Sequence, residues 1–299
     1  MNKPYISDPS AYLETIRDPM IMVVGNTYYL TGTHPPYWSG PNDGMHLWSS
    51  KDLKHFTDHG IIVKRSDIPE DMWCRDRFWA PELFTDGAKF YATFNCKNES
   101  AEHPHDFGVG LAVADHPEGP YTIVTTEAPL CDGIDGNIFQ DDDGQLYIGA
   151  NGILPHNGMT ALYIRKLNPV AGTATEPLQV CTVGEPGEWD DAGVEGQCIL
   201  KRHGIYFQWY SSWGQNTYAA GILTAPSIHG PWTKHPNNPI IKTCEYYAHS
   251  GHNHSFRGLD GKDYVIFHAI STQDSEADRK ERMFIREVEY RPDGSVILG

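Results

Sequence analysis

Hydrophobic and polar positions repeat along this chain with a period close to 60 residues. Each unit opens on a polar or small residue, runs through a hydrophobic stretch to a turn glycine, and then enters an aromatic-rich stretch. The glycines that mark the five turns are Gly25, Gly87, Gly144, Gly204 and Gly261. They lie 62, 57, 60 and 57 residues apart, and such regular spacing is the sequence mark of a repeat architecture.

The pattern inside each unit predicts strands. A glycine with Asn or Asp neighbours between two apolar runs predicts a β-hairpin, and further strand-like pieces follow, such as HLWSS and FTDHGIIV in the first unit. Four strands in each of five units describe an all-β fold, a five-bladed β-propeller with four-stranded antiparallel blades. No linker divides the chain, so one domain over residues 1–299 is expected. The only helical patterns are short ones, at residues 10–18 and just before Pro69.

The residues that open the five units are candidates for a shared site. They are Asp18, Ala80, Asp135, Glu195 and His252. The first strand of each propeller blade lines the central channel, so equivalent positions would converge on the axis. Each acid alone is typical of a turn or a surface, but three acids at one repeat position favour a functional site. Two carboxylates flanking a bond are what glycoside hydrolysis requires, and a third raises the pKa of the acid.

The five units, taken in order, resemble the blades of glycoside hydrolase family 43. The matching segments are RDP before VVGNTYYL, FWAPELF, IDGNIFQDDDGQLYI, GVEGQCILKRHGIYFQWYSS and SGHNHSFRGLDGKDYVIFHA. The resemblance implies a propeller that acts on arabinose- and xylose-containing glycans, with Asp18 as general base, Asp135 as the orienting and pKa-modulating carboxylate, and Glu195 as general acid. It also implies inversion of configuration, which predicts that the Asp18 and Glu195 carboxyl groups lie roughly 6.5–9.5 Å apart. Gly136 departs from the Pro or Ala that often follows the third-blade acid, which frees the backbone there.

The same resemblance implies a metal at the fifth blade. His252 would hold a calcium ion on the propeller axis, directly or through water. A single imidazole is an unusual calcium shell, so weak binding is expected, and the ion would tune the nearby carboxylates. No organic cofactor is expected.

Sugar contacts are expected from aromatic faces and from a planar arginine fork. Ala80 is the small opening residue that leaves room for a sugar, and Arg282 matches an arginine that many family members direct toward the substrate. The full set of predicted substrate contacts is Trp38, Trp73, Trp79, Ala80, Trp213 and Arg282.

Charge and composition limit the classes of molecule that the protein is expected to bind. The net charge of −16 would repel nucleic acid and anionic membranes, whereas a small neutral oligosaccharide meets no such repulsion. No apolar run is long enough to span a membrane, and the six cysteines have neither zinc-site nor disulfide-scaffold spacing. The first residues lack the apolar region of a secretory signal, so a cytoplasmic location is expected unless a signal has been removed. The oligomeric state is open.

These features predict an inverting glycosidase that removes terminal β-D-xylose or α-L-arabinofuranose from short hemicellulose-derived oligosaccharides. Two alternatives stay open. A retaining fructan-type hydrolase on a related propeller would need N-D-P-N and E-C elements, where this chain has R-D-P-M and V-E-G-Q. A non-catalytic glycan-binding propeller would be signalled by loss of one acid, and all three are present.

Overall fold

Strands form five antiparallel sheets around a central channel, which confirms the predicted five-bladed propeller. The computed structural model describes residues 5–6, 13–153 and 160–299, and for 176–178 it describes the backbone alone. In every blade the strand order follows the chain, so the first strand of each lies innermost. These inner strands pack against one another, and the first contacts both the second and the fifth, which closes the ring.

Each blade takes four consecutive strands, and the second blade adds a short fifth. Blade 1 contains β1 (Arg17–Val24), β2 (Thr27–Thr33), β3 (Gly44–Ser50) and β4 (Phe56–Lys64). Blade 2 contains β5 (Asp76–Thr85), β6 (Phe90–Asn98), β7 (His105–Ala114), β8 (Thr122–Ile123) and β9 (Cys131–Asp132), which pairs with β7. Blade 3 contains β10 (Ile134–Gln140), β11 (Leu146–Ile153), β12 (Thr160–Asn168) and β13 (Thr173–Val183). Blade 4 contains β14 (Glu195–Arg202), β15 (Ile205–Ser212), β16 (Ala219–Ala225) and β17 (Thr233–Lys234). Blade 5 contains β18 (Tyr247–Arg257), β19 (Asp263–Ser271), β20 (Glu281–Tyr290) and β21 (Val296–Leu298).

Helical structure in the described residues is limited to three short 3-10 turns, at Arg65–Asp67, Gly214–Asn216 and Glu276–Asp278. The first of them confirms the short helix predicted before Pro69. The helix predicted at residues 10–18 falls partly on 10–12, outside the described residues. Its described part was wrong, because residues 13–16 are not helical and Arg17 begins β1. Within the part of the chain that the structure describes, no helix has the length and apolar character that a membrane crossing requires.

The hydrophobic core lies between neighbouring blades. Between blades 4 and 5, for example, Phe207 and Trp209 pack against Phe267 and Phe284 in one buried cluster. Successive side chains of a strand point to opposite faces of the sheet, so Phe207 and Trp209, two residues apart, share one face. The buried polar atom of Trp209 is satisfied, because its indole N–H donates to the Tyr290 hydroxyl at 2.7 Å. The aromatic density of each second strand therefore serves to join blades.

A bulge interrupts every inner strand where it enters the channel. Pairing with the second strand slips there in all five blades, and one residue in each bulge has φ between 39° and 62°. These residues are Asp18, Ala80, Asp135, Gly196 and His252. Since a non-glycine residue in this region costs about 1–3 kcal/mol, surrounding contacts must hold the four non-glycine bulges.

Side chains of the second strands supply those contacts by reaching to the next blade. Four of them accept a hydrogen bond from the backbone N–H of the next bulge residue, at distances of 2.6–3.0 Å. The acceptor and donor residues are Thr33 and Ala80, Asn95 and Asp135, Ser211 and His252, and His268 and Asp18. In blade 3 the corresponding residue, Asn151, donates instead to the Val194 carbonyl at 3.2 Å. A ring of inter-blade bonds thus fixes the five bulges.

The bulges correct one sequence-based expectation. Glu195 was predicted to share the repeat position of Asp18. It is instead equivalent to Arg17, one residue before Asp18, because Glu195 pairs with Ser211 in blade 4 as Arg17 pairs with Thr33 in blade 1. Gly196 occupies the position equivalent to Asp18. Counting back from the turn glycines misses this shift because the stretch between bulge and turn differs in length between blades.

Candidate active site

A cavity of about 200 Å³ opens where the inner strands enter the channel. It is smaller than the 300–1,000 Å³ typical of sites for drug-sized ligands, so it suits one sugar unit. It brings together the three predicted acids, His252, Ala80 and three of the predicted tryptophans. The complete lining is Arg17, Asp18, Thr33, Tyr37, Trp38, Trp79, Ala80, Asn95, Ile134, Asp135, Glu195, Trp213 and His252.

Asp18 is held as a carboxylate. Burial alone would raise its pKa, but the positive charges of His252 and Arg17, together with a hydrogen bond from the Thr33 hydroxyl at 2.6 Å, lower it below the usual value. The His252 Nδ1 atom lies 3.3 Å from Asp18 Oδ1. His268 is neutral, because burial lowers its pKa well below the usual value and its Nδ1 accepts the Asp18 backbone N–H. Asp18 is therefore ionised and able to accept a proton.

Glu195 is held as an acid. Burial and the nearby negative charge of Asp135 raise its pKa to about 7, although the Tyr218 hydroxyl donates to its Oε1 at 2.8 Å and opposes the rise. Tyr218 is itself fixed by stacking on Trp213, with ring centres 4.4 Å apart. Glu195 therefore carries a proton over much of the range below neutral pH.

Asp135 lines the same cavity and is clamped on both oxygens. Asn95 Nδ2 donates to Oδ1 and the Gly196 backbone N–H donates to Oδ2, each at 2.8 Å. Burial raises its pKa, with a further contribution from Asp18. Its fixed position lets it act on Glu195 through charge, as the role of a modulating carboxylate requires.

His252 supplies the opposing charge. Burial would lower its pKa, but Asp18, Asp135 and Glu195 outweigh burial and raise it. Gly196 packs against the imidazole, since a Cβ at that glycine would meet the ring at 3.2 Å. His252 thus stands as a cation among carboxylates and favours the ionised form of Asp18.

Aromatic rings and one arginine form the outer wall. Trp38 is 65% exposed and meets Trp79 edge to face, with ring centres 5.2 Å apart. The Arg17 guanidinium lies 5.2 Å from the Trp38 ring and pairs with Glu281. Trp213, on the opposite side, is 41% exposed. These faces and the arginine fork are suited to the apolar face and the hydroxyls of a sugar.

Two predicted substrate contacts lie elsewhere. Arg282 is buried, and its guanidinium binds Glu14 and Asp274, so it is absent from the cavity lining. Trp73 is buried too, and its indole N–H donates to the Thr125 carbonyl at 2.7 Å. As contacts in the catalytic cavity both predictions were wrong, because other partners hold each side chain away from it.

Sequence reasoning missed Arg17, Tyr218, Thr33 and Asn95. Arg17 directly precedes the blade 1 acid, so its place beside the bulge was a usable signal. Thr33 ends β2 and Asn95 lies in the last part of β6, and a polar residue late in the second strand is a signal that recurs in each unit. Tyr218 had no such signal, because it lies in the connection between β15 and β16.

The side chains at the site offer few ligands for a metal ion. Across the described residues there is no group of three or more His, Cys, Asp or Glu side chains arranged to hold a metal ion. Calcium prefers oxygen ligands, whereas His252 offers an imidazole nitrogen. The described side chains therefore do not form a calcium shell of their own, and calcium at His252 stays a prediction.

Comparison with known proteins agrees with this geometry. The sequence profile of the glycosyl hydrolases family 43 matches residues 13–296. A xylosidase/arabinosidase of Humicola insolens is 36% identical over 84% of this chain and 84% of its own length. A beta-D-galactofuranosidase of Aspergillus niger is 29% identical over 90% of this chain and 79% of its own. The crystal structure of an endo-1,4-beta-xylanase from Bacteroides thetaiotaomicron superposes with a TM-score of 0.79 at 26% identity, covering 98% of this chain and 97% of that one. With its profile match across nearly the whole sequence, this chain belongs to glycoside hydrolase family 43 and is a glycosidase.

Proposed function

We propose that this protein is an inverting, exo-acting glycosidase that removes one terminal pentose, β-D-xylose or α-L-arabinofuranose, from neutral oligosaccharides. One observation carries the proposal: two partly buried carboxyl groups on a cavity of one-sugar size have opposite pKa shifts. The pKa of Asp18 is lowered and that of Glu195 is raised to about 7. Such a divergence between neighbouring carboxyls assigns the base and the acid.

The chemistry follows as a single displacement. Glu195 donates its proton to the glycosidic oxygen as the bond from that oxygen to the anomeric carbon breaks. A water attacks the anomeric carbon from the opposite face and gives its proton to Asp18. The products are the free pentose, with inverted configuration, and the shortened oligosaccharide alcohol. Proton exchange with solvent then returns Asp18 to the carboxylate and Glu195 to the acid.

The walls of the cavity support the choice of a small terminal sugar. Trp38 and Trp79 on one side and Trp213 on the other leave space for a ring between them. Ala80 presents only a methyl group, and Arg17 offers donors for hydroxyls. A relative that is named for both xylosidase and arabinosidase activity supports a pocket that accepts either pentose.

The test is a screen of aryl glycosides with product analysis. We expect turnover of aryl β-D-xyloside, aryl α-L-arabinofuranoside or both, and proton NMR of fresh product to show the inverted anomer. An aryl β-D-galactofuranoside is included because of the Aspergillus niger relative, and a parallel series with chelator tests the predicted calcium. If neither pentoside is cleaved faster by the wild type than by Glu195→Ala, the proposal fails. A retained anomer would refute inversion alone.

The pH profile should report the two carboxyl groups. The kcat/KM value is expected to hold at acidic pH, because Asp18 stays ionised below its usual range, and to fall above about pH 7 as Glu195 loses its proton. Tyr218→Phe removes a hydrogen bond that lowers the pKa of Glu195. The alkaline limb of the variant should therefore move to higher pH.

Tyr210→Phe is the matched control for this shift. Tyr210 is also buried and donates to a carboxylate, Asp190, at 3.1 Å, but neither residue lines the cavity. Its removal should leave the pH limbs in place. An alkaline limb that is identical in Tyr218→Phe and the wild type would show that Glu195 is not the group titrating there.

A further inference from the structure

A second depression lies on the same face of the propeller, in the outer part of blade 2. Its volume is about 460 Å³, and its lining includes Pro69, Trp73, His103, His105, Thr126 and Glu127. β7 begins at His105, which pairs with Asn98, the last residue of β6. Asn95, three residues earlier on β6, lines the catalytic cavity. The groove therefore lies at the end of blade 2 that faces the cavity mouth.

A row of aromatic rings connects the cavity to this groove. From the exposed Trp38 the row passes to Trp79, whose ring stacks on Phe107 with centres 4.5 Å apart. Phe107 and His105 lie two residues apart at the start of β7, where the pairing with β6 slips between His105 and Gly108. His105 then meets Trp73 with ring centres 5.5 Å apart. Ring contacts thus run from Trp38 to Phe107 and from His105 to Trp73, and β7 connects the two pairs along the chain.

Charge in the groove selects a neutral occupant. Among the described residues its lining contains Asp71 and Glu127 and no lysine or arginine, so an anionic chain would be repelled. Nearer the cavity the Lys97 amine lies 5.0 Å from the Phe107 ring and pairs with Glu99 at 3.1 Å. Aromatic faces with hydrogen-bonding groups at their edges match the alternating apolar and hydroxyl surfaces of a sugar chain.

We propose that this groove is a distal subsite for the leaving-group part of a neutral pentose oligosaccharide whose terminal sugar occupies the catalytic cavity. The proposal rests on the proposed function for the position of the terminal sugar. The aromatic row guides the chain outward over blade 2, and the groove binds sugar units beyond those next to the scissile bond. The enzyme then discriminates by chain length as well as by the terminal sugar.

The test measures kcat/KM against chain length for xylo- and arabino-oligosaccharides of two to five units. For the preferred series the wild type should gain about tenfold from the disaccharide to the longest substrate, which corresponds to 1.4 kcal/mol of added binding. His105→Ala should flatten that gain while leaving kcat/KM for the aryl glycoside unchanged, because an aryl group ends before the groove. His229→Ala is the matched control, since His229 is an exposed histidine between β16 and β17 whose ring contacts Tyr147 of blade 3.

A binding measurement separates failure of this proposal from failure of the proposed function. Calorimetric titration of a pentose tetrasaccharide into Asp18→Asn, with and without His105→Ala, should show roughly tenfold weaker binding when His105 is replaced. Chain-length profiles and affinities that coincide with and without His105→Ala would overturn the distal subsite. Absence of turnover on every aryl pentoside would overturn the proposed function alone, because the titration does not depend on hydrolysis.

Discussion

Replacing Asp18 with Asn is expected to lower kcat about 10⁴-fold, at the upper end of what a general base contributes. The amide cannot take a proton from the attacking water, yet it is nearly isosteric and its oxygen still accepts the Thr33 hydroxyl. The change also removes a negative charge that raises the pKa values of Glu195 and His252. The alkaline limb of any residual activity should therefore move to lower pH. Stopped assays on the aryl pentoside over a pH series measure both effects.

Asp58→Asn controls for loss of a carboxylate. Asp58 pairs with His46 at 2.6 Å on the outer strand of blade 1, and it does not line the cavity. This variant should keep the wild-type kcat, and circular dichroism should show that both variants are folded. Retention of more than about a tenth of kcat by Asp18→Asn would be far outside the range of a lost general base and would assign that role to another group.

The architecture was predictable because its signals are local and repeated. Hairpin glycines and aromatic second strands recur in every unit, and five similar units leave few alternatives to a propeller. Asp18 and Asp135 were found because their positions follow from the repeat itself. Glu195 was found too, although its position is not equivalent, because a neighbouring residue on a bulge still projects into the cavity.

The misses have a common physical origin. Whether an arginine or a tryptophan faces the channel depends on which partners its side chain finds, and those partners are distant in sequence. Arg282 finds Glu14, which is 268 residues away, and Arg17 finds Glu281, which is 264 residues away. The sequence contains both arginines at plausible positions. Only the closure of blade 5 onto blade 1 decides that Arg17 faces the sugar cavity.

The size of the pKa shift at Glu195 likewise could not be predicted from the sequence. A third carboxylate predicted the direction of the shift, and Asp135 does contribute. The largest cause, however, is burial, and burial follows from the packing of neighbouring blades. Tyr218, which limits the rise, is placed by its stack on Trp213.

Replacing Glu195 with Gln should produce a loss that depends on the leaving group. For oligosaccharides and alkyl glycosides, whose alcohols leave poorly without a proton, kcat is expected to fall about 10³- to 10⁴-fold. For a dinitrophenyl pentoside the fall should be less than about tenfold, because that leaving group needs little assistance from an acid. The alkaline limb near pH 7 should disappear for both substrates, since glutamine does not titrate there.

Glu118→Gln is the matched control for this variant, because Glu118 also accepts a tyrosine hydroxyl, that of Tyr29 at 2.6 Å, yet it lies outside the cavity lining. It should change neither rate. The measurement is a plot of log kcat against the pKa of the leaving alcohol for wild type and both variants. A steep negative slope for Glu195→Gln beside shallow slopes for the others assigns proton donation to Glu195. A uniform drop with an unchanged slope would instead mean that Glu195 binds or orients the sugar. The proton would then have to come from Asp135, the other carboxyl of the cavity lining whose pKa is raised.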